Sequence, residues 1–331
     1  MKIKAIASAV PRQRYDAETI GQWVGEDAVF IRQKIGVDSR AFLGPDETGV
    51  DLARAAVERL LSKAQETISN IDLLVFVTQT PDHGIPQNSS LLLSALEAEK
   101  SVASYDIALG CSGYPYALTS AKGFMLTQGY QRAIVVTCDP YSKIMNRTDK
   151  STIAVFGDAA TATLLDIDGA WDIGKGDFGT DGSQADSLIV RRGRGAAPIA
   201  CVHKPFPEIL AENPTDYYLH MNGREIFNFV MTEVPGSMQR ALQRNDLQMS
   251  EIDFFAIHQG SLYMLQQLIK RAEIPAEKAL INLDRYGNTV SSSIPLLLED
   301  LMNRTDDLAG KRVLISGFGV GLSWGSLVLT H

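Results

Sequence analysis

A free cysteine flanked by glycines, Cys111 in Ile107-Ala108-Leu109-Gly110-Cys111-Ser112-Gly113, stands where an apolar run gives way to a helical pattern. A thiol at a helix start meets unpaired N–H groups and the positive end of the helix dipole, which favour the thiolate and so nucleophilic chemistry. The glycines let a substrate and the turning backbone come close. A buried structural thiol is the other reading of this stretch, since free cysteines are among the most buried residues.

Two more residues bear on the choice. His258 closes the apolar run Asp253-Phe254-Phe255-Ala256-Ile257, at a strand end of the kind where α/β sheets present functional groups. The remaining histidines, His83, His203, His220 and His331, lack that setting. Asn288 follows Gly287 at the head of a further helical pattern. A Cys, a His and an Asn at three sheet ends suit acyl transfer through a covalent thioester.

The glycine-rich stretch Ser316 to Ser326, SGFGVGLSWGS, has two readings. As a dinucleotide signal it is weak, because it does not open a βαβ unit with an acidic residue beyond it. As a tight turn, its N–H groups could line an oxyanion hole. The chain shows no Walker loop, HExxH or paired-carboxylate motif, and the residues around Cys111 lack the spacing of a hydrolase nucleophile elbow.

The elements that position these residues show as an internal repeat. Ser69 to Thr80, SNIDLLVFVTQT, resembles Ser250 to Ser261, SEIDFFAIHQGS; Gly110-Cys111 matches Gly287-Asn288; and Arg132 to Thr137 matches Arg312 to Gly317. The offsets Asp72 to Asp253, Cys111 to Asn288 and Arg132 to Arg312 are 181, 177 and 180 residues. Helical patterns precede the first landmark in each copy, over 51–65 and 225–244, and follow it over 90–97 and 262–271. The chain therefore reads as two similar α/β halves, 1–170 and 171–331, meeting in the glycine- and aspartate-rich stretch near 165–185. Pseudo-symmetry then brings Cys111 and Asn288 towards one another.

The 331 residues, 45% of them hydrophobic, suffice for a large core. A net charge of −8 argues against nucleic acid as the main partner. The one basic cluster, Arg191-Arg192-Gly193-Arg194, reads as a solvated loop, with a contact to a phosphate-bearing ligand as the alternative. Three scattered cysteines, Cys111, Cys138 and Cys201, fit neither a disulfide framework nor a metal site, and point to a reducing, cytoplasmic setting. No apolar stretch is long enough for membrane insertion, and the apolar run Ile3 to Val10 reads as a first strand.

The segments KIGVDSR, DIALGCSGYPYAL, TIAVFGDAATATLL, IHQGS, LDRYGNTVSSSIP and GFGVGLSWGS, in this order, resemble the thiolase-fold condensing enzymes, and most closely the β-ketoacyl-[acyl carrier protein] synthase III family. The resemblance implies a five-layer αβαβα fold of two duplicated halves and an acyltransferase without a permanent cofactor. Cys111 would carry the acyl group of a primer thioester. His258 and Asn288 would stabilise the enolate left as a malonyl-type extender loses carbon dioxide, and the backbone N–H groups of Cys111 and Val320 would hold the oxyanion.

The same resemblance implies thioesters of coenzyme A or phosphopantetheine as substrates, contacted by Phe30, Lys34, Ile85, Lys150, Gly223, Arg224, Ser261 and Phe318. It also implies a homodimer, in which the segment at Ile85 closes the partner's acyl pocket, and an acyl carrier protein docking at Lys270 and Arg271. Several positions depart from the family pattern: Phe30 and Lys34 replace a Trp and an Arg, Ser261 an Asn, and Asn228 and Tyr263 two basic residues. Lys lacks the planar fork of Arg. These departures suggest a paralogue with its own primer in fatty-acid-related or secondary metabolism. The alternatives are acyl transfer to an alcohol or amine on the same scaffold, and a non-catalytic subunit of a heterodimer.

Overall fold

The computed structural model describes residues 1–192, 214–304 and 307–331. Nine strands form one hydrogen-bonded sheet: β1 Lys2–Ala9, β2 Leu73–Val77, β3 Ala103–Ile107, β4 Arg132–Cys138, β5 Ala160–Asp166, β6 Trp171–Thr180, β7 Phe254–Ile257, β8 Arg312–Gly319 and β9 Ser323–Thr330. The order is β7-β8-β9-β6-β1-β5-β4-β2-β3. The two half-sheets join where β1 and β6 pair antiparallel through Lys2 with Asp172 and Ile3 with Trp171.

The repeat is a repeat of topology. In the first half β2 lies parallel between β3 and β4, and β5 runs antiparallel between β4 and β1. In the second half β7 pairs parallel with β8, and β9 runs antiparallel between β8 and β6. The counterpart of β3 has shrunk to a single parallel bridge between Phe255 and Ala279, which is why no apolar run announces it in the sequence.

Six helices complete the frame: α1 Gly49–Ala64, α2 Asn88–Ala95, α3 Gly113–Gln128, α4 Gly223–Gln243, α5 Leu262–Arg271 and α6 Ser293–Met302. α1 starts at a capping box, in which the Thr48 hydroxyl accepts from the Asp51 N–H at 3.1 Å and the Asp51 carboxylate accepts from the Thr48 N–H at 3.0 Å. α5 is capped by Ser261, whose hydroxyl accepts from the Met264 N–H.

α1 and α4 have one apolar face each and cover the outer sides of the two half-sheets. α6 carries apolar residues nearly all round, α3 buries Tyr114, Leu118, Ala121 and Met125 on one side, and the two lie between the half-sheets, giving the layer order αβαβα. Their core draws on both halves, with Leu118 and Met125 packed among Ile294, Leu298 and Val313.

The described part of the basic cluster is ion-paired, Arg191 with Asp186 at 3.2 Å and Arg192 with Asp216 at 2.8 Å. Gly193, Arg194, Cys201 and His203 lie outside the described residues. Among the described residues, no helix is long and apolar enough to cross a membrane, and no group of three or more His, Cys, Asp or Glu side chains is placed to hold a metal ion.

Candidate active site

The loop from β3 to α3 presents Cys111 between the half-sheets. Gly110 and Gly113 are dictated by close approach: a Cβ on Gly110 would meet Gln79 Oε1 at 2.4 Å, and one on Gly113 would meet Val77 Cγ1 at 2.4 Å. Gly319, at the end of β8, lies against the sulfur, where a Cβ would come within 2.9 Å of Cys111 Sγ. This is the glycine turn read from the sequence as an oxyanion element, and the backbone N–H groups of Cys111 and Val320 face the thiol and favour its ionised form.

His258 extends β7, its N–H donating to Ser316 O at 2.9 Å. Its Nδ1 lies 2.7 Å from Ser293 Oγ, which in turn donates to Val290 O at 3.0 Å. The ring stands at 89° to that of Phe318, with centroids 5.5 Å apart. Burial pushes the imidazole down to about 3, with the Val290 carbonyl opposing that shift, so the ring is neutral at working pH.

Asn288 crosses between the halves. Its N–H donates to Val155 O and its carbonyl accepts from the Gly157 N–H, both at 2.9 Å, bridging the half that carries Cys111. Its side-chain Oδ1 accepts from the Val290 N–H at 2.9 Å, which leaves the amide N–H groups as donors. Gly287 before it has φ +67°, and a Cβ there would meet Val155 O at 2.9 Å. Glycine is the residue that takes this conformation without strain.

Cys111, His258 and Asn288 line one cavity of about 400 Å³, mostly apolar in its walls. Gly223, Arg224, Ser261 and Phe318 line it too. Arg224 is the only charged side chain among the lining residues, and Phe227 stacks on Tyr263 beside it, with centroids 5.7 Å apart. The other residues implied for substrate contact do not line this cavity. Phe30 and Lys34 are exposed, Ile85 is 89% exposed, and Lys150 is ion-paired with Glu26 at 2.8 Å. Lys270 and Arg271 stand exposed in the last turn of α5.

One expectation is reversed. Burial raises the Cys111 thiol well above the ordinary range, and the charge of Asp139 adds to that, outweighing the two N–H groups that act in the opposite direction. The resting side chain is a protonated thiol because desolvation exceeds what a helix start supplies. Asp139, itself pushed up to about 6 by burial, accepts from the Gln79 N–H at 2.7 Å and from the Ser291 hydroxyl. Asp139 and Ser293 went unnoticed in the sequence. Asp139 has no signal there, and that of Ser293 is the serine run 291–293, which reads equally well as the start of a helix.

Residues 105–182 match the model of 3-oxoacyl-[acyl-carrier-protein (ACP)] synthase III, and residues 242–331 match that of its C-terminal part. A β-ketoacyl-[acyl-carrier-protein] synthase III from Streptococcus sanguinis is 31% identical, over 99% of this chain and 98% of its own. The crystal structure of a 3-oxoacyl-(acyl-carrier-protein) synthase III superposes with a TM-score of 0.92 at 33% identity, covering 100% of this chain and 99% of its own. The corresponding protein from Thermus thermophilus gives 0.88 at 28% identity, with coverages of 100% and 99%.

Proposed function

The chain belongs to the 3-oxoacyl-[acyl-carrier-protein] synthase III family, and from that membership we propose that Cys111, His258 and Asn288 share out a decarboxylating Claisen condensation. The protein is an acyltransferase that joins an acyl primer to a malonyl-type extender, using thioester substrates and no permanent cofactor. Acyl transfer to an alcohol or amine is not favoured, because such a reaction makes no use of Asn288.

In the first half-reaction the Cys111 sulfur attacks the primer's thioester carbonyl and its proton passes to His258 Nε2. The carbonyl oxygen becomes an oxyanion held by the N–H groups of Cys111 and Val320, which already point at the sulfur. The intermediate collapses, the carbon–sulfur bond of the primer breaks, and the departing thiolate recovers the proton from His258. Transfer of the proton during the attack suits a thiol that burial keeps protonated and an imidazole that burial keeps neutral.

In the second half-reaction the bond from the extender's α-carbon to its carboxylate breaks, and the electron pair moves into an enolate. With a proton taken up from solvent at Nε2, His258 donates a hydrogen bond to the enolate oxygen together with Asn288, charge that is absent from the ground state. The enolate carbon attacks the acyl carbonyl on Cys111, the carbon–sulfur bond to Cys111 breaks as the β-ketoacyl thioester leaves, and the cysteine thiolate takes the Nε2 proton of His258 to return as a thiol. The mostly apolar walls of the cavity favour carbon dioxide over a carboxylate.

Coenzyme A thioesters and an acyl carrier protein are the partners, the latter approaching the exposed Lys270 and Arg271. A homodimer fits the apolar Ile85 left almost wholly exposed on one chain. A cytoplasmic setting fits the free thiols of Cys111 and Cys138. Residues 1–170 supply the nucleophile and 171–331 the enolate-binding pair, so the reaction takes place where the halves meet. The single observation that carries the reading is that Cys111, His258 and Asn288 line one cavity.

Incubation with a primer thioester should add one acyl mass to the protein, and malonyl thioester should then release carbon dioxide. Cys111→Ala should show no adduct by intact mass. An adduct that persists in that variant would remove Cys111 from the role of nucleophile.

A further inference from the structure

We propose that Ser112 and Ser323 are positioning residues for the first half-reaction, their hydroxyls forming a one-way hydrogen-bond chain that fixes Val320, and with it the Val320 N–H, beside the cysteine turn. The inference rests on the condensing-enzyme reading above and names the side chains that set its oxyanion donors.

Packing brings the cysteine turn against the glycine turn. A Cβ on Gly317 would meet Cys111 O at 2.5 Å and Ser112 Cα at 3.0 Å, and one on Gly319 would meet Cys111 Sγ at 2.9 Å. Val320 stands just beyond this contact, in the short turn between β8 and β9. The far end of that turn is anchored by the backbone, where Leu322 and Asp181 exchange N–H to carbonyl bonds of 3.0 and 2.8 Å. At the near end the tie is a side chain: the Ser323 hydroxyl donates to Val320 O at 2.8 Å.

The Ser112 hydroxyl lies 2.6 Å from that of Ser323. A carbonyl only accepts, so the single hydroxyl proton of Ser323 is committed to Val320 O, and Ser112 is the donor in the second bond. The chain therefore runs from the cysteine turn through Ser323 to Val320. For Ser112 this is a diversion from a commoner use. It is the N-cap residue of α3, where a serine usually accepts from an N–H of the first turn, and its side chain makes no such bond. Both residues are buried, Ser112 at 0% and Ser323 at 1% exposure. Hydrogen bonds so placed hold their geometry firmly, because breaking one leaves an unpaired polar group in the interior. An oxyanion hole depends on such fixity, since its donors act only if they are in place before the charge develops.

The test sets acylation of Cys111 against its alkylation, both followed by intact mass. Acylation from acetyl-, butyryl- or octanoyl-coenzyme A passes through an oxyanion, whereas iodoacetamide reacts at a saturated carbon and forms none. Ser323→Ala, which removes both bonds, should lower the acylation rate at saturating thioester about tenfold or more, with half-saturation at an unchanged concentration. Its alkylation rate should stay within a few-fold of wild type. Ser112→Ala leaves the bond to Val320 and should cost less, and the double variant should match Ser323→Ala because the two bonds lie in series. Ser323→Thr, which keeps the hydroxyl, should restore most of the rate. Should Ser323→Ala lack a cooperative thermal transition, Ser112→Ala should show the same separation of acylation from alkylation at smaller size. Acylation at the wild-type rate in the folded alanine variants would overturn the proposal, as would a parallel loss of acylation and alkylation. A wild-type chain that is alkylated but loads none of the three thioesters would overturn the condensing-enzyme reading itself and the inference with it.

Discussion

The two turns related by the repeat, Gly110-Cys111 and Gly287-Asn288, share a place in the topology and differ in how they are held. Cys111 leads straight into the 16-residue α3, and its position is secured by packing that leaves no room for side chains on Gly110, Gly113 or Gly319. Asn288 is held by hydrogen bonds across the halves, to Val155 and Gly157, and within its own turn, to Val290. Val290 has φ +54°, a conformation β-branched residues rarely take, and α6 begins only at Ser293. Strain of this kind costs on the order of 1–3 kcal/mol and persists where surrounding structure enforces it. On the proposed roles, the covalent step thus sits on a closely packed turn, and the enolate step on a hydrogen-bonded and strained one.

If the turns divide the labour in this way, substitutions at each should part the two half-reactions. Cys111→Ala removes both, since the enolate then has no acyl group to attack. Asn288→Ala should lower condensation about 10²- to 10³-fold, the range expected when one donor to a developing oxyanion is lost. Acyl loading of Cys111 in that variant should stay within a few-fold of wild type by intact mass. Parallel loss of loading and condensation would mean that Asn288 serves the whole site and that the division is false.

Asp139 offers a finer cut, because it touches both sides. Its carboxylate holds Gln79 beside the cysteine turn and Ser291 within the asparagine turn, and its charge raises the Cys111 thiol. Asp139→Asn keeps a hydrogen-bonding group of the same shape while removing that charge. The thiol should then ionise more readily, and alkylation by iodoacetamide at neutral pH should speed up, by about tenfold for each unit of pKa regained. An unchanged alkylation rate would show that burial alone sets the thiol and that the carboxylate serves only as a tie.

How much of this was legible in the sequence follows the same contrast. The strands and the placing of Cys111 and His258 could be read because each lies in, or at the end of, an apolar run; Asn288 follows no such run and shows only through its repeat offset from Cys111. The middle position of α6 was also legible in principle, since Ile294, Leu296, Leu297, Leu298 and Leu301 leave little of SIPLLLEDLM polar. The protonation of Cys111 was not. It depends on desolvation and on Asp139, 28 positions further along the chain, and both are products of tertiary packing. The lost counterpart of β3 leaves no pattern in the sequence either, because it is an absence created by the fold.

The smallest effect expected concerns stability and the ring that faces both turns. His258 is held near 3 when folded and titrates near 6.5 when unfolded. Between these values the unfolded chain binds a proton that the folded chain refuses, so the contribution of this residue is complete above about 6.5 and is lost as pH falls. Asp139 and Asp158, both pushed up to about 6 by burial, act in the opposite sense. They take up protons in the folded state above the ordinary carboxylate range, so their contribution grows as pH falls through about 6. His258→Asn deletes only the first effect. Its melting temperature relative to wild type should therefore rise steadily as the buffer is taken from pH 7 to pH 5, whatever the offset at pH 7. A constant offset across that range would mean that the imidazole takes up its proton in the folded protein, and the neutral acceptor assigned to the first half-reaction would be wrong.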